Sequence, residues 1–211
     1  MGFVIYFGTL AMPASVAVLL AIAVRLLITG ALHEDGLADF FDGFGGGGKD
    51  RQRILSIMKD SHIGTYGVLG LVFYILILAA TLISIPPYCA AIMVLAADPF
   101  SKMVTSQLIL MMPYARSEEE SKAKTVYRKF GVAAGISLAI QGLLPILAFI
   151  KIMGLDWQVM LFIPAIVFYF LYLLIWRRLH GYTGDCCGAV CLLVELTVYI
   201  LVSAINYMNP L

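Results

Sequence analysis

Four carboxylates, Glu34, Asp35, Asp39 and Asp42, crowd into the short stretch His33-Glu34-Asp35-Gly36-Leu37-Ala38-Asp39-Phe40-Phe41-Asp42-Gly43, which runs on into Phe44 and the glycines 45 to 48. Long apolar runs flank it, so these acids lie at a membrane surface, serve chemistry, or do both. On a helix, Asp35, Asp39 and Asp42 stand at i, i+4 and i+7, stacked along one face a turn apart. Like charges at that spacing repel by a few tenths of a kcal/mol per pair. A hard divalent cation reverses the sign, and Mg2+ is commonly held by one or two carboxylates plus substrate phosphate oxygens. Asp35, Asp39 and Asp42 are therefore the candidate metal ligands. The plain alternative is an acidic, solvated loop end.

Other chemistry-bearing residues are few. Lys59-Asp60-Ser61-His62 follows the glycines, whose backbone N–H groups can approach an anion closely, although such runs are usually only turns. Gly181-Tyr182-Thr183-Gly184-Asp185 precedes an apolar run. There Thr183 and Asp185 can cap a helix, or Asp185 can add a further ligand near an N-terminus that favours anionic groups. Glu195 lies within that run, where an ionisable group is costly and calls for a function or a polar partner. Asp98 and Lys102, at i and i+4, read as an ion pair. Cys89, Cys186, Cys187 and Cys191 lack paired C-x-x-C spacing and read as small buried apolar residues.

The elements that must position these groups follow from composition. With 62% hydrophobic and 13% charged residues in 211, the chain cannot hide its apolar surface in one soluble core. The expected fold is all-α, a polytopic membrane helical bundle forming a single domain over 1–211. A span needs about 20 apolar residues, which gives about six crossings, at 14–31, 67–84, 88–112, 130–150, 158–176 and 188–207. A short apolar piece broken by Pro13 precedes them, either truncated or re-entrant. Arg25, near the end of its span, is expected to snorkel to the interface. The segment from Arg51 to Lys59 reads as a short amphipathic helix at the interface. No basic n-region marks a cleavable signal.

Lys and Arg alternate between loops. Lys49, Arg51, Arg53 and Lys59 mark the first, Arg116, Lys122, Lys124, Arg128 and Lys129 the third, and Arg177 with Arg178 the fifth, against Lys151 alone in the intervening ones. The positive-inside rule places the three basic loops in the cytoplasm. The acidic motif, the Lys59 segment and the Asp185 turn then share one side of a cytoplasmic (inner) membrane and can build one site.

Taken together, His33, Asp35-Gly36-Leu37-Ala38-Asp39, Asp42-Gly43, Ile57-Met58-Lys59-Asp60-Ser61, Ile63-Gly64-Thr65, Gly67-Val68, Pro113-Tyr114-Ala115-Arg116, Thr183-Gly184-Asp185, Gly188-Ala189 and Glu195 resemble, in order, the cobalamin synthase family of adenosylcobinamide-GDP ribazoletransferases. Glu34 stands where that family usually has an apolar residue. The resemblance implies a membrane transferase that joins adenosylcobinamide-GDP to α-ribazole or its 5'-phosphate and releases GMP. The ribose 3-hydroxyl would attack the phosphate that stays with cobinamide. It further implies Asp35, Asp39, Asp42 and Asp185 as catalytic carboxylates with Mg2+. The candidate substrate contacts are His33, Lys59, Asp60, His62, Arg116, Thr183 and Gly184; of these Lys59, His62 and Arg116 are the phosphate candidates, and only Lys59 and Arg116 come with family support. The expected partners are corrinoid and nucleoside small molecules and the lipid bilayer, with no nucleic acid; a homo-oligomer is left open. Two other readings compete. A CDP-alcohol phosphotransferase uses similar spaced aspartates, but the Ala-Arg that should follow its Asp-Gly is absent here. A divalent-cation transporter would set carboxylates near the bilayer midplane.

Overall fold

The computed structural model describes residues 1–116 and 130–210, and the acidic and basic residues expected in the third loop beyond Arg116 (Glu118, Glu119, Glu120, Lys122, Lys124, Arg128 and Lys129) lie outside them. The described residues form α1 (Gly2–Gly8), α2 (Ala14–Thr29), α3 (Leu32–Gly46), α4 (Arg51–Ile57), α5 (Thr65–Ile83), α6 (Pro87–Met111), α7 (Val132–Ile152), α8 (Trp157–Leu179) and α9 (Gly184–Met208). Among the described residues there is no strand, only an isolated bridge between Tyr114 and Tyr182. The chain is an all-α, multi-pass membrane protein. In a bilayer every backbone polar group must be satisfied internally, and helices do that within one segment.

Five helices, α5 to α9, are long and apolar enough to cross a bilayer. The sixth expected crossing, at 14–31, takes another form. Helix α2 has 16 residues, about 24 Å at 1.5 Å per residue, which is short of a ~30 Å hydrocarbon core. Gly30 (φ 63) and Ala31 (φ 53) then both turn left-handed, and α3 departs at 90° to α2. A sixth crossing exists only as this bent pair. The acidic stretch, expected as a loop, is thus the helix α3. Its closing glycines do not break it at once, since α3 continues to Gly46 and only Gly48 adopts a positive φ.

Helix starts follow local chemistry. Asp50 caps α4 by accepting from the amides of Gln52 and Arg53, and Asp156 caps α8 through those of Gln158 and Val159. Each satisfies amides that have no intrahelical acceptor. Helix α4 lies where the amphipathic segment was expected, with Ile54 and Met58 fully buried against protein.

Helix α3 packs most extensively on α9 and next on α5. Glycines make both approaches close. A Cβ on Gly36 would lie 3.0 Å from the Cα of Asp185, and one on Gly188 would lie 3.2 Å from the carbonyl oxygen of His33. The α3–α9 crossing therefore has a glycine on each helix, the small-residue solution to close packing inside a membrane. On the other flank, Gly67 and Gly70 of α5 receive the side chains of Asp42 and Phe41.

Arg25 does not snorkel. Its guanidinium donates to Glu195 at 2.7 Å and lies 3.8 Å from Glu34, while Tyr199 donates its hydroxyl to the other Glu195 oxygen. Glu195, 1% exposed, thus has the polar partners its position demands. One cation on α2 joins α3 to α9. The other structural expectations fare better. Asp98 and Lys102 pair at 2.7 Å; Cys89, Cys186 and Cys191 are buried, Cys187 is half-buried, and all four are free thiols.

Candidate active site at one end of the bundle

One end of the bundle gathers α4, the starts of α5 and α9 and the ends of α6 and α8. Arg51 ties several of them together, donating to the carbonyls of Leu179 at 2.8 Å and Ala115 at 2.7 Å. The segments after α6 and α8 exchange backbone bonds, Ala115 N–H to Tyr182 at 2.8 Å and Tyr182 N–H to Pro113 at 3.0 Å. Gly181 permits this, because a Cβ there would lie 2.6 Å from the Pro113 carbonyl oxygen. Arg116 and Asp185 thereby come within 3.6 Å.

Two clefts open here and share Arg116. The first, about 440 Å³, is lined by Arg51, Gln52, Leu55, Ser56, Lys59, Ala115 and Arg116, three cations and no carboxylate. The second, about 320 Å³, has Asp35, His33, Lys102, Arg116 and Asp185 among its lining groups, together with apolar Leu32 and Ile109. Asp35 and Asp185 face one cleft because Gly36 and Gly188 let α3 and α9 touch beside them.

Arg116 is the unusual group. It is 8% exposed, yet its Nε–H finds no hydrogen-bond partner, and its contact to the Leu55 carbonyl is long, at 3.4 Å. A buried guanidinium has five donors to satisfy, and leaving one unpaired costs on the order of 1–3 kcal/mol or more for a charged group. An under-satisfied arginine between two clefts fits a phosphate, whose oxygens match its planar fork.

The expected residues divide by place. His33, Asp35, Arg116, Gly184 and Asp185 meet in the second cleft, and Lys59 joins Arg116 in the first. Thr183 is buried and caps α9, its hydroxyl accepting from the Cys186 amide at 3.2 Å. Asp39 is half-buried, one turn along α3 from Asp35. Asp42 does structural work, since one carboxylate oxygen accepts from the Gly64 amide at 2.7 Å and the other from the Gly67 amide at 2.8 Å. It caps α5. Asp60 and His62 sit outside both clefts and pair with one another at 2.7 Å. The contact with Asp60 raises the His62 pKa above its ordinary value, and His62 in turn lowers that of Asp60. Among the described residues no group of three His, Cys, Asp or Glu stands at metal-ligating spacing, so Asp35, Asp39 and Asp42 do not form a ready-made triad. The glycines 45 to 47 pack rather than cradle: Gly45 lies under the Tyr66 ring and Gly47 against Ile54. Arg51, Gln52 and Ser56 are cleft residues that sequence reasoning missed, and their signal was the polar face of the short amphipathic helix.

The family model for cobalamin-5-phosphate synthase matches residues 1–203. The chain belongs to this family. Among curated relatives, it is 36% identical over 198 residues to the adenosylcobinamide-GDP ribazoletransferase of Shewanella baltica, covering 92% of this chain and 74% of that protein. It is 39% identical over 208 residues to the protein of the same name from Vibrio parahaemolyticus, covering 95% and 75%. No solved structure matches the chain. For a cobalamin-5-phosphate synthase family member, a cationic cleft beside a carboxylate cleft is an apt division, because phosphoryl transfer is chiefly positioning and charge neutralisation.

Proposed function

We propose that this chain is a membrane adenosylcobinamide-GDP ribazoletransferase, joining adenosylcobinamide-GDP to α-ribazole or its 5'-phosphate. The observation that carries the reading is Arg116, buried, short of hydrogen-bond acceptors and shared by a cationic cleft and a carboxylate cleft. In this reading the diphosphate lies across Arg116, with Lys59 and Arg51 neutralising the nucleotide side. The ribose 3-hydroxyl attacks the phosphate attached to cobinamide. A new P–O bond forms, the bond to the bridging oxygen breaks, and GMP leaves with that oxygen. The hydroxyl proton passes to a carboxylate of the second cleft.

Mg2+ fits the donor set, since Asp35 and Asp185 line one cleft and this ion is commonly bound through one or two carboxylates plus substrate phosphates. Bound there, it would neutralise phosphate charge. Asp39 stands next along the same helix, and Asp42 keeps its capping role. The basic loops support an orientation with this end of the bundle in the cytoplasm, in keeping with an inner-membrane protein. Family membership tells against the CDP-alcohol and transporter readings.

The test is GMP release and corrinoid product formation by purified protein given adenosylcobinamide-GDP and α-ribazole, with Mg2+ and with chelator. Turnover that requires both substrates supports the reading. A protein that binds lipid and folds yet releases no GMP under any metal condition overturns it.

A further inference from the structure

The α6 wall of the second cleft carries a residue that no motif marks. Thr105 is 6% exposed and lines this cleft, yet its hydroxyl finds no hydrogen-bond partner. That is anomalous for a helical hydroxyl in an apolar bundle, because a serine or threonine can donate to a carbonyl three or four residues earlier at little cost. The chain uses this solution elsewhere. Thr29 donates to Arg25, Thr81 to Ile77, Ser101 to Asp98, Ser106 to Met103 and Thr197 to Leu193. Two of these hydroxyls flank Thr105 on α6 itself.

A threonine side chain in a helix divides between two rotamers, one of which back-bonds, so the cleft-lining position forgoes an available partner. Leaving a buried hydroxyl unpaired disfavours the ligand-free state. The surroundings state what would satisfy it. Leu32 and Ile109 supply apolar surface and Tyr114 an aromatic face, and Asp35 and Asp185 line the same cleft. Mostly apolar walls with a few placed polar groups suit a flat, heteroatom-bearing small molecule. The cationic cleft, with no carboxylate among its lining residues, suits the nucleotide anion instead.

We infer that Thr105 is a specificity-determining residue for the acceptor nucleoside, its hydroxyl hydrogen-bonding α-ribazole seated between α6 and the carboxylates of α3 and α9. This rests on the ribazoletransferase reading and deepens it by assigning the two substrates to different clefts.

Thr105→Val keeps the shape and removes the hydroxyl. The KM for α-ribazole is expected to rise about five- to tenfold, in the range of one neutral hydrogen bond, with the KM for adenosylcobinamide-GDP unchanged. Equilibrium dialysis of labelled α-ribazole should show the same loss of affinity. Thr105→Ser retains the hydroxyl and should restore most of both. Because the valine deletes an unpaired buried hydroxyl, the ligand-free variant should unfold at a temperature no lower than the parent. Unchanged α-ribazole KM and affinity would overturn the inference, as would an equal rise in both KM values or a fall in thermal stability that Thr105→Ser repairs. Absence of transferase activity in the unmodified protein, by contrast, would overturn the parent reading.

Discussion

Asp35 and Asp42 show how two acids of one sequence cluster take different work. Both lie on α3, but Asp35 is exposed at the cleft while Asp42 is 8% exposed and gives both oxygens to amides at the start of α5. Asp35→Asn should therefore abolish most turnover while the unfolding temperature stays near the parent's. Asp42→Asn should act the other way first, because an amide has only one acceptor oxygen and must forgo one of the two caps. A loss of about 1 kcal/mol in stability is expected, and more for Asp42→Ala, which forgoes both. Thermal unfolding and initial rates on the same preparations check this; equal rate losses at equal stability in the two asparagine variants would return Asp42 to the proposed metal ligands. A second prediction concerns the exposed pair of Asp60 and His62. A raised histidine pKa contributes stability that is present below the ordinary value of 6.5 and lost as pH rises through the folded value; the lowered Asp60 value contributes stability that is lost only as pH falls through it. The pair is thus favourable between those two limits, and being solvated it should leave the unfolding temperature flat from about pH 5 to 8. NMR titration should place the His62 imidazole above 6.5, returning to the ordinary value in Asp60→Asn.

Among elements, the α3–α9 crossing decides whether Asp35 and Asp185 share a cleft. Gly36→Ala would set a methyl group 3.0 Å from the Asp185 Cα and 3.1 Å from its carbonyl oxygen. Backbone cannot move aside as a flexible side chain does, so the helices must separate. Overpacking of this kind costs about 1–3 kcal/mol, and a displacement near 1 Å at reacting groups can cost on the order of 100-fold in rate. Gly36→Ala should therefore lose at least tenfold in kcat while Gly46→Ala, whose Cβ would meet only the Ile57 side-chain terminus at 3.5 Å, stays within about twofold. Parallel rates for the two variants would detach the crossing from catalysis. The spacing of Asp35, Asp39 and Asp42 was compatible with a helix as well as with the expected loop, and nothing in it set the direction that α3 takes. Nothing in Thr29-Gly30-Ala31-Leu32 announces two successive left-handed residues, least of all Ala31, because the non-glycine one is held by tertiary context. Arg25 was misread because its partners lie on other helices, Glu34 beyond the bend on α3 and Glu195 on α9.

At the scale of the whole molecule, apolar runs of about 20 residues located α5 to α9 to within a few residues, because bilayer thickness alone sets that signal. The pairing of clefts was less accessible. It depends on Arg51 reaching the ends of α6 and α8 and on the bridge between Tyr114 and Tyr182, contacts between residues far apart in the chain. Those contacts do establish that α4, the start of α9 and the segment at Arg116 share one end of the bundle, while Lys151 closes α7 at a different point, one crossing away from both Arg116 and Arg177. Charge then predicts the side. In a chain freed of its four cysteines, Lys49→Cys and Arg177→Cys should react with an impermeant maleimide only from the cytoplasmic face, and Lys151→Cys only from the opposite one. All three side chains are exposed, so accessibility does not bias the comparison. Labelling of Lys49→Cys and Arg177→Cys from opposite faces would contradict the assembled site itself. Labelling of both from the outer face would keep the site and invert the chain, placing the clefts out of reach of cytoplasmic nucleotide, which the proposed release of GMP could not accommodate.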